Sequence, residues 1–185
     1  MIYAVDLDIP VSPLTDYSVL NHTSNEPEIF FADPSNVSED FKQWLDSQGL
    51  VMTYPPLIFY TPNGQQCGIH IDGFAVADRA CVNFILQGAG SLMHWYSLKN
   101  SEEITEQVST QAGTPYTLYM PQQVTHVYSH AVNWPTIVQT GVPHNITNHT
   151  LQPRWCLSCD ISRKENPEAG LTMAEALDVF KQWIV

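Results

Sequence analysis

The chain has 185 residues, 44% of them apolar, and a formal charge of −12 from seven Lys and Arg against nineteen Asp and Glu. That length favours one domain able to bury a core without staples, and the scattered cations on so acidic a chain argue against sequence-independent nucleic-acid binding. Residues 1–10 carry two aspartates and no basic cluster, and no apolar run nears the roughly 20 residues needed to span a bilayer, so a soluble, cytoplasmic protein with no membrane partner is expected.

Thirteen prolines and nine glycines, with many Thr, Val, Tyr and Trp residues, lean towards strands and turns. Four cysteines are too few for a disulfide scaffold of this size. Cys156 and Cys159 form a CxxC, but on one strand residues three apart face opposite sides, as packing cysteines do. The sequons at Asn145 and Asn148 read as chance matches in a chain with no secretory signal.

In chain order, residues 1–49 form an N-terminal extension with a polar stretch over 21–36 and a short helix after it. Ser38 is a suitable N-cap, Glu39 and Asp40 suit the positive end of the dipole, Phe41, Trp44 and Leu45 share an apolar face, and Gly49 is a stop. From about 50 to 161 the pattern is strand-like, with runs at 57–60, 67–72, 80–86, 92–98, 115–120, 125–130, 134–140 and 154–161. Pro62-Asn63-Gly64 and Gly88-Ala89-Gly90 punctuate them. About eight short strands broken by turns suggest a sandwich or jelly roll. A final helix is expected over about 172–185, where Thr172 and Glu175 make a capping box and Met173, Leu177, Phe180 and Ile184 recur at helical spacing. The expectation is thus a single mainly β domain over 1–185, with a barrel core at about 50–161 and helices bracing its outside.

The candidate chemistry begins at His70-Ile71-Asp72. Residues two apart on a strand project from one face, so an HxD can aim an imidazole and a carboxylate at one point. A second imidazole would complete two His and one carboxylate on one side of a metal, the facial set of non-haem Fe(II) oxygenases. His94, His126, His130, His144 and His149 lie downstream. Only His144 is followed, ten residues on, by an arginine at the start of a β-rich run, Arg154, whose planar fork suits a carboxylate. His126 and His130, four apart, would share a face of an unbroken strand.

Together, Tyr60-Thr-Pro-Asn-Gly, His70-Ile-Asp72, Val142-Pro-His144-Asn145 and Pro153-Arg154 resemble the Fe(II)/2-oxoglutarate-dependent oxygenase superfamily over about residues 55–161. The resemblance implies a double-stranded β-helix, a jelly-roll, cupin-like barrel with the metal at its mouth. It implies Fe(II) held by His70, Asp72 and His144, with 2-oxoglutarate and dioxygen as cosubstrates. Arg154 would pair with the distal carboxylate of 2-oxoglutarate, helped by Tyr60, and Asn83 would donate to the cosubstrate. The reaction implied is oxidative decarboxylation to succinate, with hydroxylation of a small molecule or of an amino-acid or peptide side chain. One departure stands out. Many members place Ser or Thr two residues after the arginine, where this chain has Cys156, a poor donor.

Two other readings remain open at this point. A cupin-type metal isomerase or dioxygenase would use no 2-oxo acid and would favour His126 or His130 as a further ligand. A non-catalytic jelly-roll binding protein would need no metal. The aromatic run His94-Trp95-Tyr96 fits core packing better than a substrate pocket.

Overall fold

Alternating burial marks two of this protein's strands. Along 69–72 the residues are buried and half-buried in turn, and along 92–96 Met93 and Trp95 are buried while their neighbours are not. The computed structural model describes residues 1–73, 78–100 and 106–185. The strands join two antiparallel sheets.

The larger sheet runs β1 (Ala4–Asp6), β11 (Thr136–Gln139), β6 (Ala80–Gln87), β13 (Arg154–Arg163), β4 (Leu57–Thr61) and β2 (Glu28–Phe31). Two short strands, β3 (Leu50–Met52) and β14 (Asn166–Gly170), also pair with β13. The smaller sheet runs β10 (Val124–Ala131), β7 (Leu92–Leu98), β12 (His144–Thr147), β5 (Ile69–Asp72), β9 (Pro115–Tyr119) and β8 (Glu106–Ser109). Successive strands β4, β5, β6 and β7 alternate between the sheets, and so do β10, β11, β12 and β13. That alternation winds two strand pairs around one axis: the fold is a mainly β jelly roll, a double-stranded β-helix.

The sheets close on each other through Cys81 and Val138 on one wall and Met93, Trp95 and Ile146 on the other. The indole of Trp95 donates across the gap to the carbonyl of Gln139 (2.8 Å). A larger core lies outside the barrel. There α1 (Glu39–Ser47) and α2 (Met173–Val179) lay Phe41, Trp44, Leu45, Met173, Ala176 and Phe180 against Val82, Phe84, Ile137 and Leu157 of the larger sheet. The helices brace the sheet as the sequence leads one to expect. Ser38 caps α1 by accepting from the amide of Phe41 (3.4 Å), and Thr172 with Glu175 forms the capping box of α2.

Several elements differ from expectation. The C-terminal helix does not run to 185: α2 ends at Val179, a 3-10 turn follows over Lys181–Trp183, and Ile184 pairs with Leu7 of the N-terminal segment. That segment supplies both outer strands of the larger sheet, β1 and β2, beyond the expected helix. The strand that carries His144 was not among the expected runs, because His-Asn-Ile-Thr has one apolar residue and no alternation to read. Among the described residues no helix is long and apolar enough to cross a membrane.

Candidate metal centre

On β5 the pleat sends His70 and Asp72 into the barrel, while Ile69 and Ile71 pack on the other face with Tyr119 and Val124. On β12, His144 is the registered partner of His70, so the two imidazoles meet across one rung of the ladder with ring centroids 4.5 Å apart. His70 Nε2 lies 3.6 Å from Asp72 Oδ1, and one ligand atom from each of His70, Asp72 and His144 falls within 4.8 Å of the others. Side-chain exposure is 15% for His70 and 33% for Asp72, whereas His144 is buried, so the group is open on the Asp72 side.

Both rings are held from behind in the same way. His70 Nδ1 donates to the carbonyl of Gly68 (2.8 Å) and His144 Nδ1 to that of Val142 (2.9 Å), each two residues upstream. A carbonyl can only accept, so each Nδ1 carries a proton and each Nε2 faces the centre, where the neutral ring offers its lone pair. The backbone amide of Asp72 is tied to Thr140 O (3.2 Å), one residue past the end of β11. Two imidazole nitrogens and one carboxylate on one side, with the rest open, fit a divalent transition metal.

The charges differ between the two histidines. Burial, reinforced by the neighbouring His70, pushes His144 down to about 4, so it stays neutral. Burial would lower His70 as well, but the hydrogen-bonded Cys67 thiol and the Asp72 carboxylate outweigh it and raise His70 to about 9. Burial would raise Cys67 in turn, and His70 lowers it.

Arg154 opens β13 on the face that points into the barrel and is 2% exposed. Among the described residues no carboxylate lies within ion-pair reach of its guanidinium, and its Nε has no hydrogen-bond partner. A buried cation left this way costs several kcal/mol on general grounds. The local backbone is built to hold it. Gly88, with φ +76°, passes so close that a Cβ would sit 2.6 Å from Pro153 O and 2.7 Å from Arg154 Cα. Asn148, wholly buried, donates through Nδ2 to the carbonyls of Thr61 (3.0 Å), Pro62 (3.2 Å) and Gln152 (2.8 Å), pinning the end of β4 to the approach to β13. Asn145 is buried too, so neither sequon asparagine is open to modification in the folded chain.

Tyr60 does not join the group. Register pairs Thr61 with Arg154 and Tyr60 with Trp155, so Tyr60 projects from the opposite face of β4. There it packs against Trp155 (centroids 4.7 Å apart), donates to Ser24 O (2.9 Å) and belongs to the helix-covered core. Asn83 does face the barrel, between Thr136 and Ser158, and its buried Oδ1 has no hydrogen-bond partner. Cys156 shares the inner face of β13 with Arg154, whereas Cys159 packs in the outer core, and both thiols are free.

The other histidines are elsewhere. A register shift between His126 and Tyr128 puts a bulge in β10, so His126 pairs with Tyr96 and His130 with Met93, on opposite faces. His126 and His94 both bond the hydroxyl of Ser129 (2.7 Å each) on the outer face of the smaller sheet, and His130 pairs with Asp6 (2.9 Å). Trp95 of the expected aromatic run is core. Sequence reasoning missed Thr61, Gly88 and Asn148 as neighbours of Arg154, because only the pairing of strands distant in the chain brings them there.

No protein-family model and no curated protein matches the chain. Similar solved structures include vicilin from Corylus avellana (hazelnut), 9% identical with a TM-score of 0.39 over 74% of this chain and 29% of that one. Vicilin from Solanum melongena is 8% identical with a TM-score of 0.39, over 75% of this chain and 29% of its own. An oxalate oxidase in complex with the substrate analogue glycolate is 13% identical with a TM-score of 0.40, over 84% of this chain and 63% of its own. The chain thus spans under a third of each vicilin. Likenesses at this distance say nothing of activity, and the strand order and site geometry stand without them.

Proposed function

We propose that this protein is an Fe(II)- and 2-oxoglutarate-dependent oxygenase that hydroxylates a small molecule or an amino-acid or peptide side chain. The observation that supports it is Arg154, a buried cation without a carboxylate partner among the described residues, on the inner wall of the barrel that holds His70, Asp72 and His144. A metal site alone gives no reason to bury that charge. An anionic ligand reaching from the metal to Arg154 does, because it supplies the missing counter-charge.

In this reading the Nε2 atoms of His70 and His144 and the Asp72 carboxylate hold iron, and iron with a 2-oxo acid and dioxygen would supply the oxidising chemistry. The protein does the rest. Gly68 O and Val142 O keep both rings in the ligating tautomer. Arg154 seats the distal carboxylate and so orients the 2-oxo group. Met93, Trp95 and Ile146 wall the chamber against water.

The test is an anaerobic titration of Fe(II) and 2-oxoglutarate, followed by the visible band of the chelate. Wild type should show the band, Asp72→Ala should lose it by losing iron, and Arg154→Ala should weaken 2-oxoglutarate by roughly 10- to 100-fold while keeping the metal. A wild-type protein with bound iron and no band at saturating 2-oxoglutarate would sink the proposal.

That last result would favour the second reading, a cupin-type metal enzyme using no 2-oxo acid. Two observations lean its way: Tyr60 turns out of the barrel, and Cys156 stands where a hydroxyl donor would help. Against its expected extra ligand, neither His126 nor His130 reaches the centre. A third outcome, no metal bound at all, would leave a jelly-roll binding protein.

A further inference from the structure

We propose that the outer face of the smaller sheet carries a second transition-metal site, in which His94, His126 and His149 take a borderline divalent ion such as Zn2+ or Cu2+. It lies on the opposite face of that sheet from His70, Asp72 and His144, and it does not depend on how that centre is read.

The chain has seven histidines. The two that belong to neither group, His22 and His130, each pair with a carboxylate, Glu28 and Asp6. Among the described residues His94, His126 and His149 have no such partner. The bulge in β10 is what brings the first two together. On an unbroken strand residues 126 and 129, three apart, would face opposite sides. The register shift between His126 and Tyr128 turns both to the face of His94: Ser129 is the registered partner of His94, and His126 that of Tyr96, two residues along β7. The rings of His94 and His126 then meet edge to face, with centroids 5.7 Å apart.

Two imidazole nitrogens converge on one point there. His94 Nδ1 and His126 Nε2 each lie 2.7 Å from the Ser129 hydroxyl, so they stand no more than twice that distance apart. Tetrahedral zinc holds histidine nitrogens at about 2.0–2.1 Å, which sets two of them roughly 3.3 Å from each other. A small turn of the exposed His126 closes that gap and puts an ion in place of the hydroxyl. Ser129 has a single proton, so it can donate to one ring only, whereas a metal takes a lone pair from both. The other nitrogen of His94 meets the Thr147 hydroxyl (2.9 Å), which orients the ring from behind as the outer partner of a ligating histidine does.

His149 completes the set. It is exposed, it follows Asn148, whose side chain is tied to three carbonyls, and its charge reaches His94. Burial, then the charges of His126 and His149, push His94 below its ordinary value, so its ring is neutral and able to ligate at neutral pH. Three nitrogen donors without a carboxylate suit Zn2+, Cu2+ or Ni2+ and not Mg2+ or Ca2+, and a chain of charge −12 draws cations to its surface. Three protein ligands leave the fourth position of a tetrahedral ion to water.

The experiment is a Zn2+ titration of full-length Asp72→Ala protein, in which the barrel centre no longer competes, read by calorimetry and by the histidine ring resonances in NMR. One Zn2+ should bind, shifting the rings of His94, His126 and His149 and not that of His130 on the same strand. Even an outer partner of a metal ligand is worth about 10–100-fold in affinity, so His94→Gln or His126→Gln should weaken Zn2+ by roughly 100-fold or more, and His149→Gln by roughly tenfold or more. Ser129→Ala should bind at least as tightly as its parent, because the hydroxyl no longer occupies both nitrogens. The melting temperature of each variant reports folding separately. Absence of Zn2+ uptake, uptake that any of the three histidine changes leaves intact, or weaker uptake in Ser129→Ala overturns the site, and none of these outcomes bears on the oxygenase reading.

Discussion

Replacing Gly88 by alanine tests the backbone around Arg154 before any ligand is involved. Two costs add. Gly88 has φ +76°, where an L side chain costs about 1–2 kcal/mol. The new Cβ would lie 2.6 Å from Pro153 O and 2.7 Å from Arg154 Cα, so β13 must withdraw by roughly 1 Å to reach ordinary contact. These contacts are backbone and cannot swing aside, and overpacking of this kind costs about 1–3 kcal/mol. The expected total is about 2–5 kcal/mol, a large share of the stability of a typical domain. Gly113→Ala is the control, because Gly113 has nearly the same φ, +77°, with nothing within 4 Å of the added atom. It should show the conformational cost alone, about 1–2 kcal/mol. Urea denaturation of both variants, with constant m-value, gives the comparison. Gly88→Ala should also bind 2-oxoglutarate more weakly, because its arginine has moved. A Gly88→Ala loss no larger than that of Gly113→Ala would refute the close approach, and with it the placement of Arg154.

Three further outcomes follow from named contacts. His144, held at about 4 against an ordinary 6.5, stays neutral in the folded chain while its unfolded counterpart takes up a proton below 6.5. Metal-free protein should therefore lose up to about 3 kcal/mol from this group as pH falls from 6.5 to 4, measured by denaturation at several pH values. His144→Asn should remove that part of the slope, and an identical slope in the two proteins would contradict the shift. Asn148→Ala takes this donor from the buried carbonyls of Thr61 and Pro62 and should cost about 2–4 kcal/mol in a urea titration; a loss under 1 kcal/mol would show that the β4–β13 junction does not depend on it. Cys156→Ser should lower the melting temperature of the free protein, because it buries a more polar group in place of the thiol, yet enlarge the thermal shift given by 2-oxoglutarate on the metal-loaded protein. Equal ligand shifts in serine and cysteine forms would place Cys156 away from the carboxylate.

The sequence by itself determined the architecture and the inner group. Short strand-like runs broken by Gly and Pro must each bury at least one face, and two facing sheets meet that need. His70 and Asp72 are two apart on one such run, so their shared direction follows from the pleat. The spacing from His144 to Arg154 likewise follows from chain order, even though the strand under His144 was too short and polar to read. Both helices were legible for a local reason, since caps and apolar spacing act within one or two turns.

Tertiary structure decided everything that depends on register. Tyr60 and Thr61 are adjacent in sequence, and only the pairing of Thr61 with Arg154 says that the barrel receives the hydroxyl and the helix-covered core the phenol. His126 and His130 are four apart, and only the bulge between them puts them on opposite faces. A shift of one residue inverts every side chain after it, and nothing in the local sequence marks where that shift falls. The burial of Arg154 without a carboxylate partner among the described residues is likewise a property of the closed barrel: which carboxylates reach a cation is settled by strands that are distant in the chain.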